Sequence, residues 1–166
     1  MSSVFIVTGA ARGIGAEVVK KLIQLDHQVI GIDLNPDIKK WEISQQLNPS
    51  QLQNLHAIAH DISQTNTLIE TIQKSPWADQ QITGLVNAAG ILEMGSLLEI
   101  TQEQWQHNLA VNFIGPAMLS QWVAKQMFPH KAGAIVSISS NAALIPRMNM
   151  GIDRKSTRLN SSHQVL

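Results

Sequence analysis

Neither cysteine nor tyrosine occurs among the 166 residues; aromatics make up only 4% of the chain and charged residues 14%. Without cysteine neither a disulfide framework nor a thiolate metal site can be built. Charge of one sign is missing too, since 12 Lys and Arg offset 12 Asp and Glu, and a nucleic-acid partner requires a basic face. No run of about eighteen apolar residues exists to span a bilayer. The start MSSVFIVTG has neither a basic leader nor a cleavable apolar stretch. Five of the six histidines are scattered through residues 1–152, a distribution that predicts no metal site. These absences predict a cytoplasmic protein with no membrane or nucleic-acid partner and no metal.

What is present is an alternation of short apolar runs and longer helical patterns. Val4 to Val7 is an unbroken apolar run, the signature of a strand buried on both faces. From Gly13, Ile14, Val18, Leu22 and Leu25 recur at helical spacing. Val29 to Ile32, Leu55 to Ala59, Gly84 to Val86 and Ala134 to Ile138 supply four further strands. Residues 64 to 74 predict a helix, and a long helical pattern runs from an N-cap at Thr101, with Glu103 near its first turn, to about Phe128 before Pro129. Between the second and third strands, residues 34 to 54 predict a helix around Lys39 to Gln46 with loose flanks and no chemistry. Strands alternating with helices imply βαβ units, so the predicted fold is α/β, a doubly wound, Rossmann-like parallel sheet ending after its fifth strand. Neither an internal repeat nor a linker divides it, and residues 1–152 read as one domain.

Two features point to a dinucleotide. Thr8-Gly-Ala-Ala-Arg-Gly-Ile-Gly15 lies between the first strand and its helix. Glycines there let the backbone approach a pyrophosphate, whose charge the helix N-terminus stabilises. A bare glycine trio also occurs in structural turns; its place after a buried strand is what gives it weight. Asp33, at the end of the second strand, stands where a carboxylate accepts hydrogen bonds from an adenosine ribose and repels a 2′-phosphate, favouring NAD over NADP. Arg12 argues the other way, but Asp33 lies nearer the 2′ position. Read blandly, Asp33 is a solvated strand end.

Together with the glycine turn, Asp61-Ile62, Asn87-Ala-Ala-Gly90, Asn112 and Ser137-Ile-Ser-Ser140 resemble the short-chain dehydrogenase/reductase family over residues 4 to about 152. The resemblance implies that Gly9, Arg12, Gly13, Ile14 and Gly15 line the pyrophosphate of NAD, and Asp33 with Leu34 the adenosine ribose. It places Asp61 and Ile62 beside the adenine, and Asn87, Ala88 and Gly90 along the cofactor. Asn112 is similar to the family's catalytic-helix asparagine, which shapes a helix kink and a water relay; Ser140 is similar to the serine that orients the substrate oxygen. Within the family, residues 87–95, 105–112 and 140–150 resemble members that oxidise a small cyclic dihydrodiol carboxylate to a catechol. Glu93 departs from the basic residue of those members. Arg147 is the one cation near Ser140 that meets a substrate carboxylate in this reading, and a solvated loop arginine in the bland one. Trp105 and Trp122 fit core or dimer-face packing, and the resemblance implies a homo-oligomer for the full-length protein.

Family chemistry requires a tyrosine as acid/base and a lysine four residues later. Family spacing from Ser140 puts them at 153 and 157, which hold Asp153 and Thr157. Residues 153–163 resemble a translated sequencing-library adapter. Residues 153–166 are therefore expected to be a non-native or disordered tail, and the chain an inactive fragment, poorly soluble and binding NAD weakly or not at all. Two alternatives stand beside this reading: a non-catalytic NAD-binding regulatory protein, and a family member with another substrate, such as a 3-oxoacyl reductase.

Overall fold

A computed structural model describes residues 3–92 and 98–139. The predicted apolar runs form five parallel strands, β1 (Val4–Thr8), β2 (Gln28–Asp33), β3 (Leu55–Ala59), β4 (Ile82–Asn87) and β5 (Ala134–Ser137). They lie in the order β3-β2-β1-β4-β5, a doubly wound, Rossmann-like sheet. The chain leaves β1 in one direction to build β2 and β3, then crosses back to β4. The resulting crevice beyond the ends of β1 and β4 is the usual ligand position in such sheets. In the centre, Ile6 pairs in register with Ile30 and Leu85, and all three are buried.

Among the described residues five α-helices flank the strands: α1 (Gly13–Gln24), the single turn α2 (Pro49–Leu52), α3 (Thr65–Ile72), α4 (Gln102–Leu109) and α5 (Gly115–Met127). On one face of the sheet, Ile6, Ile30 and Leu85 pack with Leu68 and Ile72 of α3 and Leu119 and Val123 of α5. On the other, Val7 and Val29 pack with Val19 and Ile23 of α1 and with Trp41 and Ile43.

Three predicted features differ. The buried stripe of α1 is Gly15, Ala16, Val19 and Ile23; of the predicted residues Val18 and Leu22 pack partly buried against it, whereas Ile14 is 60% and Leu25 57% exposed. Small residues at 15 and 16 bring the helix start against the turn, and Leu25 already lies past its end. The helix around Lys39 to Gln46 is instead two 3₁₀ turns, Ile38–Lys40 and Glu42–Gln45. Trp41 between them is extended, with φ −66° and ψ 134°; its indole is fully buried and donates Nε1–H to the Asn35 carbonyl at 3.0 Å. Burying that ring outweighs continuing the helix.

The long helix from Thr101 is likewise broken. Thr101 does cap α4, in a capping box with Gln104, but Ala110–Ile114 forms a π turn before α5. Pro116, at the start of α5, has no N–H for the carbonyl four residues back and its ring crowds it, so the helix widens there.

Candidate functional site

At the C-terminal ends of β1, β2 and β4 the structure opens a cleft of about 240 Å³. The turn after β1 brings Gly9 and Arg12 to it, β2 brings Asp33 and Leu34, and the segments after β3 and β4 bring Asp61, Ile62, Ala88 and Gly90. The other predicted turn residues do not line it. Gly13 and Ile14 lie on the outer, exposed side of the turn beside Glu42, Gly15 is buried beneath it, and Asn87 is buried behind the cleft. Ser140, Arg147 and Glu93 fall outside the described residues.

The shape of the turn follows from its glycines and from Thr8. Gly9 has φ +67°, and a Cβ there would meet the Ala89 backbone nitrogen at 2.8 Å; only glycine takes that conformation at so close an approach. A Cβ on Gly15 would collide with the Gly9 carbonyl. The buried Thr8 Oγ1 accepts from the N–H groups of Ala88 at 3.2 Å and Ala89 at 3.1 Å, tying the first turn to the segment after β4. Ala10 N–H donates to Ile32 O at 3.1 Å, tying it to β2.

Two carboxylates grip the same turn. Asp33 accepts from the backbone N–H of Ala11 at 2.9 Å and of Asn35 at 3.0 Å, so it is braced by backbone rather than simply solvated. A carboxylate offers about four acceptor positions, and two are used here. Glu42 accepts from Gly13 N–H at 2.9 Å, while its own N–H donates to Ala11 O at 2.9 Å. Glu42 therefore sits on the first free N–H of α1, where negative charge is favoured. Sequence reasoning missed Glu42 and its neighbour Trp41, which stand in the segment expected to be loose. Gly13, the partner of the Glu42 carboxylate, is 29 residues distant, and Asn35, the partner of Trp41, lies in irregular backbone, so no local spacing signals them.

Asp61 accepts from Ser63 N–H at 2.8 Å, which fixes the bend after β3. Across the cleft, Asn112 lies inside the π turn, and its carboxamide pairs with both backbone groups of Ile91: Oδ1 accepts from Ile91 N–H and Nδ2 donates to Ile91 O, each at 2.9 Å. Asn112 thus holds the wall after β4 in place through Ile91. Beneath it, Asn87 Nδ2 donates to the hydroxyls of Ser120 at 3.0 Å and Ser137 at 3.2 Å, joining β4 to α5 and β5. No group of three His, Asp or Glu among the described residues is arranged to hold a metal.

This arrangement suits an elongated ligand with an anionic middle and a hydroxyl-bearing end. The close glycine approach leaves room for a phosphate against the backbone, and Asp33 retains acceptor positions for hydroxyl donors. Those features fit a dinucleotide.

Comparison with known proteins agrees with the geometry. A family model described as short chain dehydrogenase matches residues 3–152. The chain is 30% identical over 146 residues to the 2,3-dihydro-2,3-dihydroxybenzoate dehydrogenase of Bacillus subtilis, covering 87% of this chain and 54% of that protein. It is 32% identical over 158 residues to the vibriobactin-specific 2,3-dihydro-2,3-dihydroxybenzoate dehydrogenase of Vibrio cholerae, covering 91% of this chain and 57% of that one. The chain thus spans about half the length of these curated relatives. Among solved structures, a 4-hydroxyisoleucine dehydrogenase complexed with NADH superimposes with a TM-score of 0.79 at 24% identity, over 95% of this chain and 64% of that one.

Proposed function

Since the chain belongs to the short-chain dehydrogenase family, we propose that residues 1–152 are the NAD-binding portion of an oxidoreductase acting on a carbinol. The observation that carries this reading is the braced glycine turn at the switch point, with Asp33 at the end of β2 beside it. Gly9 and Arg12 lie against the pyrophosphate, over a turn that Gly13, Ile14 and Gly15 shape; Asp33 and Leu34 hold the adenosine ribose, and Asp61 and Ile62 the adenine. Ala88 and Gly90 line the path towards the nicotinamide, with Asn87 buried behind them. When bound, the nicotinamide supplies a hydride acceptor. The carboxylate of Asp33 accepts from ribose hydroxyls and opposes a 2′-phosphate, which makes the cofactor NAD rather than NADP.

The substrate of the whole protein is proposed as 2,3-dihydro-2,3-dihydroxybenzoate, oxidised to 2,3-dihydroxybenzoate in catecholate siderophore biosynthesis. Support comes from the relatives bearing that name. Ser140 orients the substrate oxygen and Arg147 meets the carboxylate in this reading; Asn112 acts as a positioning residue through Ile91. The chain has no tyrosine, so it lacks the family's acid/base, and it turns over no substrate by itself. Residues 153–166 contribute nothing to the site, the working protein is a homo-oligomer, and its compartment is the cytoplasm.

Calorimetric titration of the full chain with NAD⁺ and NADP⁺ tests the cofactor assignment. NAD⁺ binds weakly yet more tightly than NADP⁺, and Asp33→Asn narrows the difference. Absence of binding, or tighter NADP⁺ binding, overturns it. The missing tyrosine favours a second reading, a dinucleotide-binding protein without catalysis. Sequencing the source locus across codon 152 separates the two. A continuation with Tyr at 153 and Lys at 157 supports the enzyme, and the present tail followed by a stop supports the second reading.

A further inference from the structure

Ser75, in the connection from α3 to β4, is 6% exposed, and its hydroxyl has no hydrogen-bond partner. Its backbone is otherwise engaged: Ser75 N–H donates to Ile72 O at 3.0 Å and its carbonyl accepts from Ala78 N–H at 3.1 Å. Buried hydroxyls without partners are rare in native folds and call for an explanation. Ser75 lines a second cleft of about 380 Å³, at the end of the sheet where β4 begins and opposite the glycine turn. That volume lies in the range of small-molecule sites.

The chemistry of this cleft is distinctive. Trp77 and Trp122 both line it, in a chain with four tryptophans altogether, and both pack partly buried against the core under α3 and α5. Trp77 is held from another side by the His56 ring, edge-on with centroids 6.2 Å apart. The floor is aliphatic, from Ile72 and Ile82; Asp79 is the one carboxylate in the lining and His130 the one imidazole, with no lysine or arginine. Aromatic faces reward a flat ring, the Ser75 hydroxyl can accept from a ring N–H, and a lone carboxylate beside indoles favours a cation over an anion.

We propose that this second cleft binds a planar heteroaromatic amine, with the ring between Trp77 and Trp122, a ring N–H on Ser75 Oγ and the ammonium towards Asp79. The site is separate from the dinucleotide cleft and does not depend on it. The test is titration of the ¹⁵N-labelled full chain with unlabelled tryptamine, indole and indole-3-acetate, following the four tryptophan indole N–H signals. Tryptamine shifts the Trp77 and Trp122 signals saturably, leaves Trp41 unmoved, and binds several-fold tighter than indole-3-acetate. Asp79→Asn removes the preference for tryptamine, and Ser75→Ala weakens tryptamine and indole alike. If no probe moves Trp77 and Trp122, if all four signals drift together without saturation, or if indole-3-acetate binds as well as tryptamine, the proposal is overturned.

Discussion

The two faces of the sheet are closed by different means. One is covered by α3 and α5, two helices contributing aliphatic side chains to a continuous core. The other is covered by α1 and by a non-helical segment whose centre is the buried Trp41. Among the described residues this second face stays open towards the β5 edge, and Val136 is 51% exposed. The first face is thus closed by two helices, the other by the stripe of α1 together with one large ring whose neighbour Glu42 reaches the glycine turn. The bracing of the glycine turn by Glu42 therefore rests on one buried side chain, Trp41.

The sharpest way to break this contrast is Trp41→Ala. Emptying a fully buried indole costs about 3–5 kcal/mol, read by urea unfolding. Leu119→Ala on the helical face costs about 2–5 kcal/mol. Only Trp41→Ala also weakens NAD⁺ binding in calorimetry, because Glu42 then loses its anchor. Equal losses of binding in both variants would remove the distinction.

Next in size is Asn112→Ala, which strips partners from both backbone groups of Ile91. Each partly buried group left unpaired costs about 1–3 kcal/mol, and hydrogen exchange at Ile91 rises ahead of exchange in β1. Unchanged protection at Ile91 would show that Asn112 does not hold the wall.

The helical face also carries a pH response. Burial lowers the pKa of His56 from 6.5, so the unfolded chain takes up the proton first. Stability present above pH 6.5 falls as the pH drops through that value towards the lower folded one. His56→Gln flattens this part of the curve in denaturation between pH 7.5 and 5. A variant that keeps the full slope would place its origin elsewhere.

The smallest effect on stability belongs to the open side. Val136→Lys changes unfolding by less than about 0.5 kcal/mol, yet light scattering begins at higher protein concentration, because a charge now guards an edge strand. Unaltered aggregation would mean that the exposed edge is not the association surface.

The strands were legible in the sequence because each rests on local signals, and most of the cleft through the glycine turn, Asp33 and the family resemblance. Unbroken apolar runs mark strands buried on both faces, and Asp33 and Asp61 lie at strand ends. The misreadings share a cause in tertiary contacts. The buried stripe of α1 is displaced because Gly15 and Ala16 pack against the turn, which no helical period encodes. Residues 39 to 46 have helical composition, but the pull of Trp41 into the core breaks them into two turns. Glu42 reaches Gly13 across 29 residues, a separation at which no spacing rule operates. Asp33 was legible by position, whereas its two backbone partners required the fold.

The π turn at Ala110–Ile114 has a consequence best put in terms of angular phase. Successive residues of an α-helix advance about 100° around the axis, and a π turn accommodates one residue more than an α turn. α4 and α5 are therefore out of phase by about one residue's rotation, and their inward faces cannot be read as a single stripe. Deleting one residue within the turn would restore a common phase. It would also rotate α4 and Asn112 away from Ile91, so that a more regular helix would leave the cleft wall unsupported.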